Sequence, residues 1–115
     1  MREAVRRLVA FTAGVIVEDH QPDGVFDFAT GSRFPVTGDI DGDSVDIADE
    51  TEGVRLTGTL PNLQTGDGQA LTLRIEDDAF SGTDSLSGTA FHGRVSGRNI
   101  DLADTETGDS YTFCL

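Results

Sequence analysis

Apolar and polar residues alternate at period two along most of the chain, the pattern of half-buried β-strands. Val25-Phe26-Asp27-Phe28-Ala29-Thr30 alternates with both Phe on one face. Residues 33–40 resume the pattern with Phe34, Val36 and Ile40 inward, and residues 54–60 repeat it. Leu71, Leu73 and Ile75 form a further inward row, and Tyr111, Phe113 and Leu115 the last. Pro35 cannot donate a ladder hydrogen bond, which predicts an edge strand or an outward-pointing position there. Residues 61–69 read as the longest polar loop and residues 77–84 as a polar turn interrupted by Ala79-Phe80. Between residues 85 and 95 the parity changes, with Leu86 on one register and Phe91 and Val95 on the other, so a bulge is expected near Ser87-Gly88-Thr89.

Residues 38–53 lie over residues 93–108 without a gap, matching at both terminal Gly, an inner Gly, two Asp and one Ala. Each copy reads as a hairpin followed by a second turn. Asp41-Gly42, replaced by Ser96-Gly97 in the second copy, is expected to form a two-residue turn. That turn places Gly38 opposite Val45 and Gly93 opposite Ile100, with Ile40, Val45, Ile47, Val95, Ile100 and Leu102 buried. Asp49 and Gly53, like Asp104 and Gly108, bracket the next turn, where Asp caps local N–H groups and Gly takes a left-handed conformation.

The start of the chain carries three Arg in its first seven residues and then runs Leu8-Val9-Ala10-Phe11-Thr12-Ala13-Gly14-Val15-Ile16-Val17. A basic start before an apolar run is also the pattern of a secretory signal, but no small-x-small cleavage site follows. Val15, Val17 and Glu18-Asp19 align with Leu73, Ile75 and Glu76-Asp77, which favours a buried strand after a short helical turn. The chain then divides into two internal repeats of about 55 residues, about 8–60 and 69–115. The expectation is one all-β domain of about eight antiparallel strands closed as an up-and-down barrel, with a two-sheet sandwich as the alternative. This grammar resembles small ligand-binding barrels of the streptavidin and lipocalin kind at the level of fold only, because their signature tryptophans have no counterpart here.

Composition changes the picture in one direction. The 115 residues hold 21 acids against 8 bases, a net charge of −13, and every base is Arg. Such an acidic surface resembles proteins from salt-loving organisms, and a high-GC genome is the other source of the same bias. The charge argues against nucleic acid or an anionic membrane as partner. No apolar run approaches the roughly 20 residues that cross a bilayer. Cys114 is alone, so no internal disulfide or cysteine–metal cluster is available, and a reducing, cytoplasmic setting is expected, secretion being the alternative.

Two clusters carry candidate chemistry. Asp39, Asp41 and Asp43 present carboxylates around a glycine-containing turn, a donor type that suits calcium, although the spacing is not that of an EF-hand. A solvated acidic hairpin tip is the plainer reading. His92, Arg94 and Arg98 form a cationic group on an anionic protein and can hold a carboxylate or phosphate, or else neutralise nearby Asp. His20, Tyr111 and Cys114 fit no nucleophile or metalloprotease motif.

The expected function is a non-catalytic binding or interaction module holding a small ligand or a protein partner, with no cofactor beyond the calcium option. A small barrel enzyme of isomerase or cyclase type and a structural component of a larger assembly are the alternatives. Because Asp39 and Asp43 stand where the second copy has Arg94 and Arg98, two copies of the chain are also expected to dock as a homodimer through opposite charges.

Overall fold

A computed structural model describes all of residues 1–115. Ten antiparallel strands follow one helix, α1 (Glu3–Glu18): β1 (Gly24–Asp27), β2 (Ser32–Asp41), β3 (Ser44–Asp49), β4 (Val54–Thr59), β5 (Asn62–Thr65), β6 (Ala70–Glu76), β7 (Ala79–Asp84), β8 (Thr89–Ser96), β9 (Asn99–Asp104) and β10 (Asp109–Cys114). Each strand pairs with its neighbours in sequence, and β1 pairs with β10, so the sheet is a closed up-and-down barrel. Closure removes every sheet edge. The strand holding Pro35 is therefore not an edge, since β2 is bonded to β1 on one side and β3 on the other.

The expectation of about eight strands falls short because two short strands lie inside stretches that read as loops. β5 occupies part of the polar segment 61–69, and β7 starts at the Ala79-Phe80 pair that interrupts the polar turn. Two-residue connections leave little turn signal between such strands. The parity change after residue 84 is a hairpin turn between β7 and β8, not a bulge, and Leu86 sits exposed in it.

The largest departure is α1. Residues 4–15 are all buried, because the helix stands inside the barrel and packs against strands on all sides. Its charged residues, Glu3, Arg6, Arg7 and Glu18, fall on one side at helical spacing, and between Leu8 and Val15 the only polar side chain is that of Thr12. Glu3 lies in its first turn, where a negative charge suits the helix dipole, and Asp19 closes it in a left-handed conformation with its N–H donated to the Val15 carbonyl. Residues 15–18 are thus helical where their proposed counterparts 73–76 belong to β6, and the two-repeat reading fails there.

The hairpins at 38–53 and 93–108 do form, but their loops are Gly42-Asp43 and Gly97-Arg98. Gly42 and Gly97 take φ of 59° and 60°, and the residues after them do not turn positive. Positive φ at the first loop position alone is the type II′ pattern, which moves the turn one residue on from the expected Asp-Gly type I′. Gly38 consequently pairs with Ile47 and Gly93 with Leu102, while Ile40 meets Val45 and Val95 meets Ile100. Of the six expected core residues five are buried, and Ile40 is half-buried near the barrel mouth.

An ionic ring fixes the helix at its N-terminal end. Asp27, Asp49, Asp84 and Asp104 each open a hairpin turn and are all buried. Their Oδ1 atoms accept N–H bonds from Ala29, Thr51, Leu86 and Glu106, each at 3.0 Å. The Arg7 guanidinium, fully buried, donates to Asp49 at 3.0 Å and Asp27 at 3.3 Å, and lies 3.7 Å from the Phe34 ring centroid. Arg6 sits 3.6 Å from Asp104 and stacks on Tyr111, and the Met1 amine donates to Asp104 at 3.0 Å. This explains the β1 register. Val25 and Asp27 face inward so that Asp27 reaches Arg7, and Phe26 and Phe28 lie on the outer face with ring centroids 4.9 Å apart.

Candidate functional site

The lumen is filled by α1, so concave surface is found only outside or at the barrel ends. Two clefts of about 260 and 140 Å³ flank the C-terminal turn of α1 and share Ile16. A hollow of about 430 Å³ opens between Arg2, Arg55, Thr65 and Asp67, and the outer wall carries two depressions that are set by strand register. Across β2, β3 and β4, Thr37, Ala48 and Arg55 stand in one outward row and Asp39, Asp46 and Thr57 in the next. Across β8, β9 and β10, His92, Ala103 and Ser110 form one row and Arg94, Asp101 and Thr112 the next. The small side chains of Ala48 and Ala103 leave each row hollow at its centre. The resulting depressions measure about 380 Å³ and 400 Å³.

Of the expected anion-binding residues, the structure brings His92 and Arg94 into the second depression, together with Ala79, Asp101, Ala103 and Ser110. Arg98 does not line it. It occupies the second loop position of the β8–β9 hairpin, where its carbonyl accepts the Leu115 N–H at 2.9 Å. Arg94 pairs with Asp78 through Nη1, 3.2 Å and 3.4 Å from the two carboxylate oxygens, and both side chains are largely exposed. An ion pair of that exposure is worth about 0–1 kcal/mol, so Arg94 can leave Asp78 at small cost.

The acidic tip is arranged differently. Asp39 and Asp41 share the outer face of β2 and Asp43 lies in the loop, all exposed. No three His, Cys, Asp or Glu side chains in the protein are grouped so as to hold a metal ion. Asp39 faces Asp46, which is neutralised by Arg55 through Nε at 3.0 Å and Nη2 at 2.7 Å. Sequence reasoning passed over Ser110, Ala103 and Asp101, which complete the second depression. The alignment of 38–53 on 93–108 contained Ala48 over Ala103 and Asp46 over Asp101, but only the register of β10 brings Ser110 alongside.

Two exposed carboxylates have pKa values moved by neighbours. Asp23 is held below the ordinary 3.8, chiefly by its hydrogen bond from Arg33 at 2.7 Å. Asp67 is lowered first by the Thr65 hydroxyl and further by Arg2. Neither lies at the His92–Arg94 depression. Compared with known proteins, the chain matches no family model, and no curated protein or solved structure matches it either.

Proposed function

We propose that this protein is a non-catalytic binding module that holds a small anion-bearing ligand on the outer wall of the barrel, where His92 and Arg94 border the Ala103 floor. One observation carries the reading. The interior is occupied by α1, and two basic side chains meet on the outside over a hollow of about 400 Å³. A filled lumen also weighs against a barrel enzyme, which needs convergent groups in an enclosed cavity. A homodimer docked through opposite charges would also need apolar contact, and the Phe34-Pro35-Val36 segment does not offer a free edge for it, being paired on both sides with Phe34 against Arg7.

On a molecule of charge −13 the whole-protein field opposes anions, so recognition at this depression is short-ranged and depends on direct hydrogen bonds. Titrating the protein with acetate and with inorganic phosphate, followed by amide and side-chain NMR, tests the proposal. Shifts confined to His92, Arg94, Ala103 and Ser110, and lost in Arg94→Gln, are the expected result. Shifts scattered over all exposed Arg, or none, overturn it.

A further inference from the structure

The two outer depressions share a register and differ in how their central carboxylate is met. In the first, Arg55 lies across from Ala48 and its guanidinium bonds Asp46 through Nε and Nη2. In the second, Ser110 stands in the place of Arg55 and Asp101 in the place of Asp46. A serine side chain cannot span to the next row as an arginine does. Asp101 accepts a hydrogen bond from the Thr112 hydroxyl at 2.8 Å, and no ion pair reaches it. Arg94 is its direct cross-strand neighbour, yet that guanidinium is engaged with Asp78. The second depression therefore presents two basic groups and one carboxylate without a cation, around a floor of small residues. An anion placed there alone meets the charge of Asp101, whereas a ligand with both signs of charge complements the whole site.

Resting on the anion-binding reading above, we infer that the depression takes a small zwitterion, a molecule carrying a guanidinium or ammonium group together with a carboxylate. The carboxylate is held by His92 and Arg94. The cation takes at Asp101 the place that the Arg55 guanidinium takes at Asp46, so the molecule's first depression displays the contact its second one lacks.

The test is an NMR titration of the whole protein at fixed ionic strength with three probes: free L-arginine, agmatine (the same cation without the carboxylate) and acetate. L-arginine is expected to shift Arg94, Asp101, Ala103 and Ser110 and to bind about two- to fivefold tighter than acetate or agmatine, each of which carries charge of one sign only, the increment of one exposed ion pair. Ser110→Arg is expected to seat its own guanidinium on Asp101 and to remove L-arginine binding with the other resonances unmoved. Asp101→Asn, which adds no bulk, is expected to reduce L-arginine to the affinity of acetate. If acetate binds the parent protein as tightly as L-arginine does, the zwitterion inference fails and the anion site stands. If agmatine matches L-arginine and acetate does not bind, both the inference and the anion site fall.

Discussion

The Phe80 ring fills the space that a side chain at Gly93 would occupy. The two are direct cross-strand partners on β7 and β8, and Cε1 of the ring lies 2.8 Å from where a Gly93 Cβ would stand. The next inward pair reverses the arrangement, with the Phe91 ring tip 2.7 Å from a Cβ position at Gly82. Rings laid over glycines let strongly bent strands close around a helix while keeping the wall packed. Gly93→Ala is expected to destabilise by about 1–3 kcal/mol through overpacking, and Phe80→Ala by about 3–5 kcal/mol through the cavity left behind. Shortening the ring in Phe80→Leu should relieve only part of the Gly93→Ala defect, since the new Cβ also collides with the Asp101 carbonyl oxygen. Denaturant unfolding of the single and double variants measures this, and full rescue would mean that the backbone contact is not limiting.

Arg7 is the one cation shared by two of the turn-opening aspartates, and it is fully buried. Arg7→Met keeps an unbranched, flexible stem but strands Asp27 and Asp49 inside. Breaking such a group by removing one partner costs about 3–5 kcal/mol. The triple variant Arg7→Met, Asp27→Asn, Asp49→Asn should recover a large share of that, because neither carboxylate is left buried without its cation and the Asn side-chain oxygens can still accept the turn N–H groups. Equal stability of the single and triple variants, read from denaturant midpoints, would show that the guanidinium acts through packing on Phe34 and not through charge.

Asp84 opens its turn as the other three aspartates do, and it is equally buried, but no cation pairs with it. Asp84→Asn retains the acceptor for Leu86 N–H and removes one negative charge from an acidic molecule. It should be neutral or mildly stabilising. Asp49→Asn removes a charged partner from Arg7 and should cost about 1.5–3 kcal/mol. A ranking in the opposite order would require a cation near Asp84 that the structure does not place there.

How far the sequence carried can be judged from these same residues. Strand alternation identified β2, β3, β4, β6, β9 and β10, and the Asp49–Gly53 and Asp104–Gly108 turns were read with their caps, as the Thr51 and Glu106 N–H bonds show. The run from Leu8 to Val17 reads as a strand because Val9, Val15 and Val17 are β-branched and Phe11 is a strand former, and the charged residues that mark the helical face, Glu3, Arg6, Arg7 and Glu18, lie outside that run. Its length was the available signal, ten mostly apolar residues being long for a strand. The shared face of Phe26 and Phe28 was legible from the alternation, but which face lines the barrel was not, because the inward position of Asp27 is set by an ion pair with Arg7, 20 residues away in no local pattern. His92 and Arg94 were legible as a pair on one face, but the partners that make a hollow of them come from β9 and β10.

The two shifted carboxylates separate by cause. Asp23 owes its lowered pKa to Arg33, so Arg33→Gln should return it toward 3.8 in a carboxyl-carbon NMR titration. Asp67 owes more to the Thr65 hydroxyl than to Arg2, so Thr65→Val should raise its pKa further than Arg2→Gln does. The sign for stability follows from depression of the folded-state value. Each group contributes above the unfolded carboxylate pKa, and the contribution disappears as pH falls through the lowered folded value. Both groups are exposed, so the titration is the measurement to make, and an unchanged Asp23 in Arg33→Gln would refute the assigned cause.

Salt should act on this molecule through its surface and leave the ionic ring untouched. The 21 acids outnumber the 8 bases, and the buried partners of Arg7 and Arg6 use up part of the positive charge inside the barrel end. Setting aside the four buried Asp and the two buried Arg leaves 17 acids (21 − 4) and 6 bases (8 − 2) outside, so the outer wall keeps a net charge of −11 (6 − 17). Its self-repulsion is screened over about 10 Å at 0.1 M salt and about 3 Å at 1 M, whereas the buried Arg7 pairs, out of contact with solvent, are screened far less. Raising salt should thus remove a destabilising term and keep the stabilising one, and the melting temperature should climb between low and molar salt. Sodium chloride is the salt to use, because sulfate strengthens burial by exclusion whatever the charge. Reversing the sign of the test gives a control: a variant with several exposed Asp of the β2–β3 tip, Asp39, Asp41 and Asp43, changed to Asn should melt higher at low salt and gain less from added salt. A melting temperature flat across that range in the parent protein would mean that the acidic wall imposes no repulsion, and the acidity would then be a matter of composition and not of stability.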